Sequence, residues 1–219
     1  MAGDDPAMDA LLGAGVESRV ARDGEDGPVR VVIVPTAAAR QRPDLAAAHG
    51  RDAWNATGVR AGVEVRVETA SIVTRDAAAA LVELARLEAA DVIHLPGGDP
   101  DVIPAVLRDT GAWASVLAAH RRGACVAGAS AGAMAFGERL WTPSGPVDGL
   151  RLVPGLGVVP HFDPSRGEAW RRSVDPDGRL TWLGLPERTL VLGRPGGPWH
   201  SVGPEEARWF EPGASMIVG

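Results

Sequence analysis

The sequence of 219 residues contains no lysine and no tyrosine, so all 22 of its basic residues are arginines. The absence of lysine excludes a Schiff-base lysine, a phosphate-binding P-loop lysine and a Ser-Lys dyad, because each of these sites depends on an ammonium group. There is one cysteine, Cys125, which cannot form an internal disulfide, and no cluster of cysteine and histidine has metal-ligand spacing. The sequence therefore predicts a protein of a reducing compartment without a metal site.

The chain also lacks an excess of positive charge. The formal net charge is -6 and the calculated isoelectric point is near 5.4, which argues against the clustered basic surface that nucleic acids and anionic membranes require. No apolar run reaches the length of about 18 residues that indicates a membrane-spanning helix. Residues 1–30 lack a basic region followed by an apolar run, so we expect no signal peptide there. We expect a cytoplasmic protein that binds neither nucleic acid nor membranes.

The composition is that of a globular protein rich in turns. Hydrophobic residues make up 45% of the chain and charged residues 23%, while the 28 glycines and 18 prolines follow no repeat. We expect one domain over residues 1–219, with an irregular N-terminal segment over residues 1–28.

Short β-branched runs alternate with alanine- and leucine-rich segments over the first 130 residues. The runs predict strands at 29–34, 63–69, 91–95 and 124–127. Helices are predicted at 37–55 with breaks at Pro43 and Gly50, at 74–90 with an apolar stripe, at 101–108 and at 112–121. The stripe consists of Leu81, Val82, Leu84 and Leu87. The alternation predicts an α/β fold, a three-layer sandwich around a mostly parallel central sheet. Beyond Trp141 the chain is rich in glycine and proline, with short strands expected at 189–192 and 215–218.

The sequence GASAG at residues 128–132 matches the G-x-S-x-G nucleophile elbow, between an apolar strand and a segment of small residues. Such a turn exposes the serine hydroxyl, here that of Ser130, at the carboxyl end of the sheet. The alternative is that Ser130 only caps a helix. An elbow nucleophile also needs two amide donors for an oxyanion, and we expect them from Ala131 and Gly98. Gly98 belongs to the turn PGGD at 96–99, which alternatively is only a tight turn with Asp99 as a helix cap.

A serine nucleophile needs a histidine base and a carboxylate that orients it. His161 follows an apolar run and begins a polar loop, whereas His200 lies in a Gly/Pro-rich loop. The remaining histidines are predicted to lie in surface helices or in a core strand: His49, His120 and His94. The candidate carboxylates are Glu187 and Asp163 for His161, and Asp175 and Asp177 for His200.

Residues 91–140, with the LPGGD turn and the GASAGA elbow, are followed by PHFD and LPER. In this order the motifs resemble the peptidase S51 family of dipeptidase E and cyanophycinase, from about Val29 to the C-terminus. The resemblance implies a class I glutamine amidotransferase-like (flavodoxin-like) fold. It also implies Ser130 as nucleophile, His161 as base, Glu187 as the third member of the triad, and no metal or organic cofactor.

The chain departs from the family in one respect and from its amidotransferase relatives in another. Family members begin with an extra strand and a glycine-rich loop, for which no equivalent precedes Val29. Amidotransferases of this fold use cysteine at the elbow, whereas Cys125 lies five residues before Ser130 and is expected to be buried and inert.

The resemblance implies hydrolysis of a peptide or amide bond in a small substrate, next to an acidic residue, by a monomer or a homodimer. Three arginines follow His161 closely and are candidates to bind a substrate carboxylate: Arg166, Arg171 and Arg172. Of these, Arg171 is the expected ligand. Asp99 is expected to bind a substrate amine, and Trp141 is a candidate for a wall of the pocket.

Two other interpretations stay open. The first is an esterase of the α/β-hydrolase type, which would use Ser130, His200 and either Asp175 or Asp177. The second is a non-catalytic binding or scaffold protein with the same fold.

Overall fold

The computed structural model describes residues 5–24, 27–194 and 197–217. The helices are α1 Pro6–Asp23, α2 Pro43–Ala61, α3 Leu81–Glu88, α4 Val102–Leu107, α5 Gly111–Arg121, α6 Ala131–Ala135 and α7 Pro164–Val174. The strands are β1 Val29–Ile33, β2 Val65–Thr69, β3 Val92–Leu95, β4 Cys125–Gly128, β5 Arg139–Leu140, β6 Val147–Asp148, β7 Leu156–Pro160, β8 Thr181–Leu185, β9 Leu190–Gly193, β10 Trp199–Val202 and β11 Arg208–Phe210. The chain divides into two compact units after Gly132. The prediction of one domain over residues 1–219 stays a prediction.

The first unit is built on a parallel sheet in the order β2-β1-β3-β4. Its strands are separated along the chain by helices, which is the βαβ arrangement that the sequence predicts. The strand interiors are buried, with Val29, Val31 and Ile33 of β1 fully removed from solvent. The α/β fold class with a parallel central sheet is thus confirmed. The carboxyl ends of β3 and β4 lie side by side, since Leu95 pairs with Gly128.

The N-terminal segment is not irregular as predicted, because residues 6–23 form α1. Asp5 caps this helix by accepting a hydrogen bond from the Met8 amide, and Pro6 takes the first position, which tolerates proline. Leu11 and Leu12 are buried, and a Cβ on Gly15 would stand 2.7 Å from a methyl group of Val92. Tertiary packing on the sheet thus stabilises a helix whose glycines argue against one locally.

The predicted break at Gly50 is wrong. Pro43 begins α2, in agreement with the predicted break there, but Gly50 lies inside the helix and does not interrupt it. Gly50 is buried against β1, and a Cβ there would stand 2.8 Å from Ile33 Cδ1, so this glycine permits close helix-strand packing.

The segment predicted as one helix over 74–90 consists of a 3-10 turn, Ala77–Ala79, followed by the two-turn helix α3. Ala80 between them is extended with ψ 119°. The break shifts the phase of the helix, so that Leu87 is buried while Leu81 and Val82 are 81% and 61% exposed. The predicted four-residue apolar stripe does not form.

The second unit contains strands that its glycine- and proline-rich sequence hides. β7 and β8 are parallel neighbours, and β11 runs antiparallel beside β8. The predicted strand at 189–192 corresponds to β9, which pairs with β10. No strand forms at residues 215–217, and Val218 lies outside the described residues. In this segment Met216 is buried and its amide donates to Glu168 Oε2. The apolar residues that predicted a strand therefore include, within the described part of this segment, a single side chain packed into the core, that of Met216.

Among the described residues, no helix is both long enough and apolar enough to cross a membrane.

Candidate active site

Ser130 occupies the turn between β4 and α6, as the elbow motif predicts. Its φ is 50°, a left-handed conformation that is uncommon for a residue other than glycine. A Cβ on Gly132 would overlap the Leu95 carbonyl oxygen, so only glycine lets α6 start this close to the end of β3. The small residues of the motif therefore permit a strained turn that holds Ser130 in a fixed position.

The glycine turn after β3 lies directly beside Ser130. A Cβ on Gly97 would stand 3.2 Å from Ser130 Cβ and 3.7 Å from its Oγ. Gly98 has φ 153°, and a Cβ there would overlap the backbone of Ala37. Among the described residues, no backbone carbonyl accepts a hydrogen bond from the Gly98 amide. The parallel pairing of β3 and β4 brings this turn and the elbow together.

His161 and Glu187 meet at the carboxyl ends of β7 and β8. Pro160 pairs with Leu185, so the residues that follow these two strands emerge at one edge of the sheet. His161 Nδ1 lies 2.5 Å from Glu187 Oε1, although 26 residues separate them in the chain. The His161 side chain is 49% exposed and that of Glu187 71% exposed, so both can reach a solute. A carboxylate on Nδ1 favours the tautomer in which Nε2 is available as the base.

Asp163, the alternative partner of His161, has another contact. Its Oδ1 accepts a hydrogen bond of 2.8 Å from the Arg166 amide, which makes it the N-cap of α7. Of the two carboxylates considered for His161, Glu187 is the one in hydrogen-bond contact with the ring.

The residues of the esterase interpretation do not assemble in the same way. Asp175 is buried and accepts hydrogen bonds from the Arg179 and Leu180 amides and from Trp182 Nε1. Asp177 pairs with Arg179 at 3.2 Å. His200 lies exposed on β10, and among the described residues no hydrogen bond joins it to either aspartate. Asp175 therefore has the contacts of a structural carboxylate that closes the loop before β8.

The two expected substrate ligands have partners within the protein. Asp99 Oδ1 accepts a hydrogen bond of 2.9 Å from Gln41 Nε2 at the exposed end of the glycine turn. Arg171 binds Glu168 through Nε at 3.2 Å and Nη2 at 2.7 Å, and its side chain is 14% exposed. One edge of the Arg171 guanidinium is thus occupied by a buried carboxylate. The roles of both residues toward a substrate stay predictions.

Glu168 itself is only 3% exposed. The side-chain hydrogen bond from Arg171 is the main cause that lowers the pKa of Glu168 to about 2, with further contributions from the Met216 amide and Arg172. This cluster attaches the C-terminal segment to α7, the helix that follows His161.

Two other chemically active side chains lie inside the parallel sheet. Cys125 in β4 is half-buried, somewhat less buried than expected, and burial raises the pKa of its thiol to about 11, which disfavours the nucleophilic thiolate. His94 in β3 accepts a hydrogen bond of 3.2 Å at Nδ1 from Trp54 Nε1. An indole nitrogen only donates, so the His94 ring is neutral with its proton on Nε2. Burial lowers the pKa of His94 to about 4, in keeping with a structural role.

A contact chain beside His161 is not visible in the sequence. Trp141 and Trp170 stack with ring centroids 4.5 Å apart and an angle of 3° between the planes. The Arg166 guanidinium lies 5.8 Å from the centroid of Trp170, and Arg166 Nη2 donates to the His161 carbonyl oxygen. The spacing of Arg166 and Trp170, one helical turn apart on α7, is the only sequence signal for it.

Within the described parts of the chain, no group of three or more histidine, cysteine, aspartate or glutamate side chains could hold a metal ion.

Comparison with known proteins decides the family. The family model of Peptidase family S51 matches residues 21–196. The chain belongs to peptidase family S51. It is therefore a peptidase, a hydrolase of peptide bonds, as the resemblance of its motifs implies.

Solved structures agree with this fold. A peptidase from an acI-B1 actinobacterium aligns with a TM-score of 0.71 at 19% identity, over 94% of this chain and 87% of that one. A putative peptidase E protein from Listeria monocytogenes EGD-e aligns with a TM-score of 0.57 at 17% identity, over 94% and 95% of the two chains. At these identities the likeness concerns the fold alone.

A similarity over a shorter segment is found to a cobyric acid synthase of Phocaeicola vulgatus. The two sequences are 36% identical over 90 residues, which are 41% of this S51 chain. The matched segment spans 18% of the synthase, less than a fifth of its length.

Proposed function

We propose that this S51 member is a serine-type peptidase that cleaves small peptides through a triad of Ser130, His161 and Glu187. The observation that carries the proposal is the 2.5 Å contact between His161 Nδ1 and Glu187 Oε1. Two exposed side chains form this contact across a parallel strand pair, so core packing does not explain it. An orienting carboxylate on Nδ1 is what a histidine base requires.

The proposed reaction proceeds through an acyl-enzyme. Ser130 Oγ attacks the scissile carbonyl carbon while His161 Nε2 takes the hydroxyl proton. The tetrahedral intermediate collapses when His161 returns this proton to the leaving amine, and the C–N bond breaks. Water then attacks the ester, again with His161 as base, and releases the acid and Ser130. Glu187 stays ionised and stabilises the imidazolium in both halves of the reaction.

The amides of Gly98 and Ala131 are the proposed donors to the oxyanion. Gly98 follows Gly97, the residue of the glycine turn that adjoins Ser130. The Gly98 amide has no backbone acceptor among the described residues. Ala131 follows the nucleophile and opens α6, so its amide has no carbonyl four residues earlier within the helix. Donors positioned in this way lower the barrier without reorganising during the reaction.

The proposed substrates are short peptides with an acidic residue next to the scissile bond, acted on without a metal or organic cofactor by a monomer or homodimer. Asp99, on the glycine turn beside Ser130, is the proposed ligand of the substrate amine, and Arg171 is the proposed ligand of a carboxylate. The preference for an acidic residue rests on the family resemblance. The proposed function can be tested in two parts: the activated serine, and the preference for an acidic side chain.

The first part is tested by intact-mass spectrometry after treatment with a fluorophosphonate. We expect one adduct on the wild type and none on Ser130→Ala or His161→Ala. His200→Ala is the matched control, because His200 is exposed on β10, and we expect it to be labelled at the wild-type rate. A folded wild type that takes up no label would refute the serine mechanism and favour the scaffold interpretation. Loss of labelling in His200→Ala with retention in His161→Ala would favour the esterase arrangement.

The second part is tested with matched dipeptides. Asp-Leu, Asn-Leu and Ala-Leu differ in charge and shape at one side chain only. We expect the highest kcat/KM for Asp-Leu, because a carboxylate paired with an arginine is bound far better than the neutral amide of the same shape. Equal cleavage of all three would contradict the acidic preference while leaving the triad intact.

A further inference from the structure

The backbone of His161 is unusual. Its φ is 51°, in the left-handed region, which a residue with a Cβ keeps only when its surroundings hold it there. The next residue is fixed on one side, since the Phe162 amide donates to the Leu185 carbonyl at 3.1 Å. The Phe162 ring also covers Gly184, where a Cβ would stand 2.5 Å from Cδ2 of that ring. These contacts restrain the chain after His161 but leave the orientation of its own carbonyl to another group.

Arg166 provides that group. Its Nη2 donates to the His161 carbonyl oxygen, and its own amide donates to Asp163 Oδ1. One residue therefore spans the whole turn from His161 to the first turn of α7. The guanidinium is held in turn over the ring of Trp170, at 5.8 Å from the centroid, and Trp170 stacks on Trp141. A planar guanidinium suits both contacts, because its edge donates while its face lies against the indole.

We infer that Arg166 is a positioning residue for His161. Its guanidinium lies over Trp170 and binds the His161 carbonyl oxygen, and this holds the imidazole in the position where Nδ1 contacts Glu187. This inference rests on the proposed function, since it assigns Arg166 a role only through the proposed base. It differs from the role for which Arg166 was a candidate beside Arg171 and Arg172, that of binding the substrate carboxylate. A carboxylate ligand would change substrate affinity, whereas a positioning residue changes the reactivity of the serine toward any acylating reagent.

A fluorophosphonate separates these roles, because it carries no carboxylate for an arginine to bind. The experiment compares labelling rates of the wild type, Arg166→Ala and Arg166→Lys, together with thermal unfolding of each. Arg179→Ala is the control, since Arg179 is exposed and, among the residues that the structure describes, its side chain pairs with Asp177 alone. We expect Arg166→Ala to slow labelling by about 10- to 100-fold, the range for a catalytic group displaced by about 1 Å. We expect Arg166→Lys to recover part of this loss, since an ammonium group can still donate to the carbonyl, and Arg179→Ala to label normally.

Each outcome has a distinct meaning. Wild-type labelling of Arg166→Ala, combined with an increased KM for Asp-Leu, would overturn the inference and assign Arg166 to the substrate. If Arg166→Ala unfolds at the assay temperature, Arg166→Lys decides alone: wild-type labelling combined with an increased KM for Asp-Leu would overturn the inference, whereas slowed labelling at a wild-type melting temperature would support it. The proposed function fails separately, when His161→Ala is labelled as fast as the wild type.

Discussion

The guanidinium of Arg22 binds the carboxylate of Asp91 through two hydrogen bonds, of 3.0 Å from Nε to Oδ1 and 2.9 Å from Nη2 to Oδ2. Asp91 is fully buried and also accepts a hydrogen bond from the Arg30 amide. The pair joins the last turn of α1 to the start of β3, the strand that ends at the glycine turn. A helix absent from the sequence prediction is therefore attached to the strand that carries one side of the proposed oxyanion site.

Removing the carboxylate of this pair should destabilise the protein strongly. Asp91→Ala removes the buried carboxylate that both Arg22 and the Arg30 amide bind, and breaking a buried ion pair in this way typically costs about 3–5 kcal/mol. Chemical denaturation of the wild type and the variant measures the change. Asp44→Ala removes a carboxylate from an ion pair whose side chains are both 69% exposed, and we expect no measurable change there. Equal effects of the two substitutions would contradict a special role for the Arg22–Asp91 pair.

The choice of the third triad member can be tested with two amide substitutions. We expect Glu187→Gln to lower kcat by about 10²- to 10⁴-fold, because an amide does not stabilise the imidazolium and favours the wrong tautomer. Asp163→Asn should keep nearly full activity, since asparagine caps a helix as well as aspartate does. The measurement is steady-state hydrolysis of Asp-Leu. The reverse ranking would transfer the orienting role from Glu187 to Asp163.

Strain at the elbow predicts a difference between two inactive variants. Ser130 has φ 50°, which glycine adopts without the steric penalty of a Cβ. We expect Ser130→Gly and Ser130→Ala both to lose labelling, and the glycine variant to be more stable than the alanine variant by about 1 kcal/mol. Thermal unfolding of both proteins under the same conditions compares them. Greater stability of the alanine variant would show that the left-handed conformation is not retained at this position.

The buried Glu168 predicts a loss of stability in acid. Its pKa is lowered from 4.5 to about 2, chiefly by the hydrogen bond from Arg171. A group with a lowered pKa in the folded protein stabilises it fully above the unfolded pKa, and the contribution disappears as the pH falls toward the folded pKa. We therefore expect the melting temperature to fall between about pH 5 and pH 2. Glu168→Gln should have a lower melting temperature at pH 7 but a shallower acid dependence, and parallel curves would contradict this assignment.

The local motifs could be read from the sequence because their geometry depends on nearby residues. A strained serine turn beside a parallel strand needs glycine or alanine on both sides, and residues 128–132 provide them. The glycine turn was predicted for the same reason, since only glycine fits where the Gly98 backbone touches Ala37. The parallel sheet of the first unit likewise followed from apolar runs separated by helical segments.

The contacts that select among candidate residues could not be read in this way. The residues alone leave Glu187 and Asp163 open as partners of His161, and only the family resemblance points to Glu187. The contact itself depends on the register of β7 and β8, which brings Glu187 to Nδ1 from 26 residues away along the chain. Arg166 acquires its contact with His161 only because α7 turns its first residues back toward the end of β7. Helix α1 is stabilised by the burial of Leu11 and Leu12 against the sheet. This stabilisation comes from tertiary packing and cannot be predicted from local helix propensity. The sequence by itself determined the strained elbow and the glycine turn beside it, because both are steric requirements of a few adjacent residues. Only the tertiary structure decided which carboxylate and which arginine contact the histidine, because strand register and helix packing act between residues far apart in the chain.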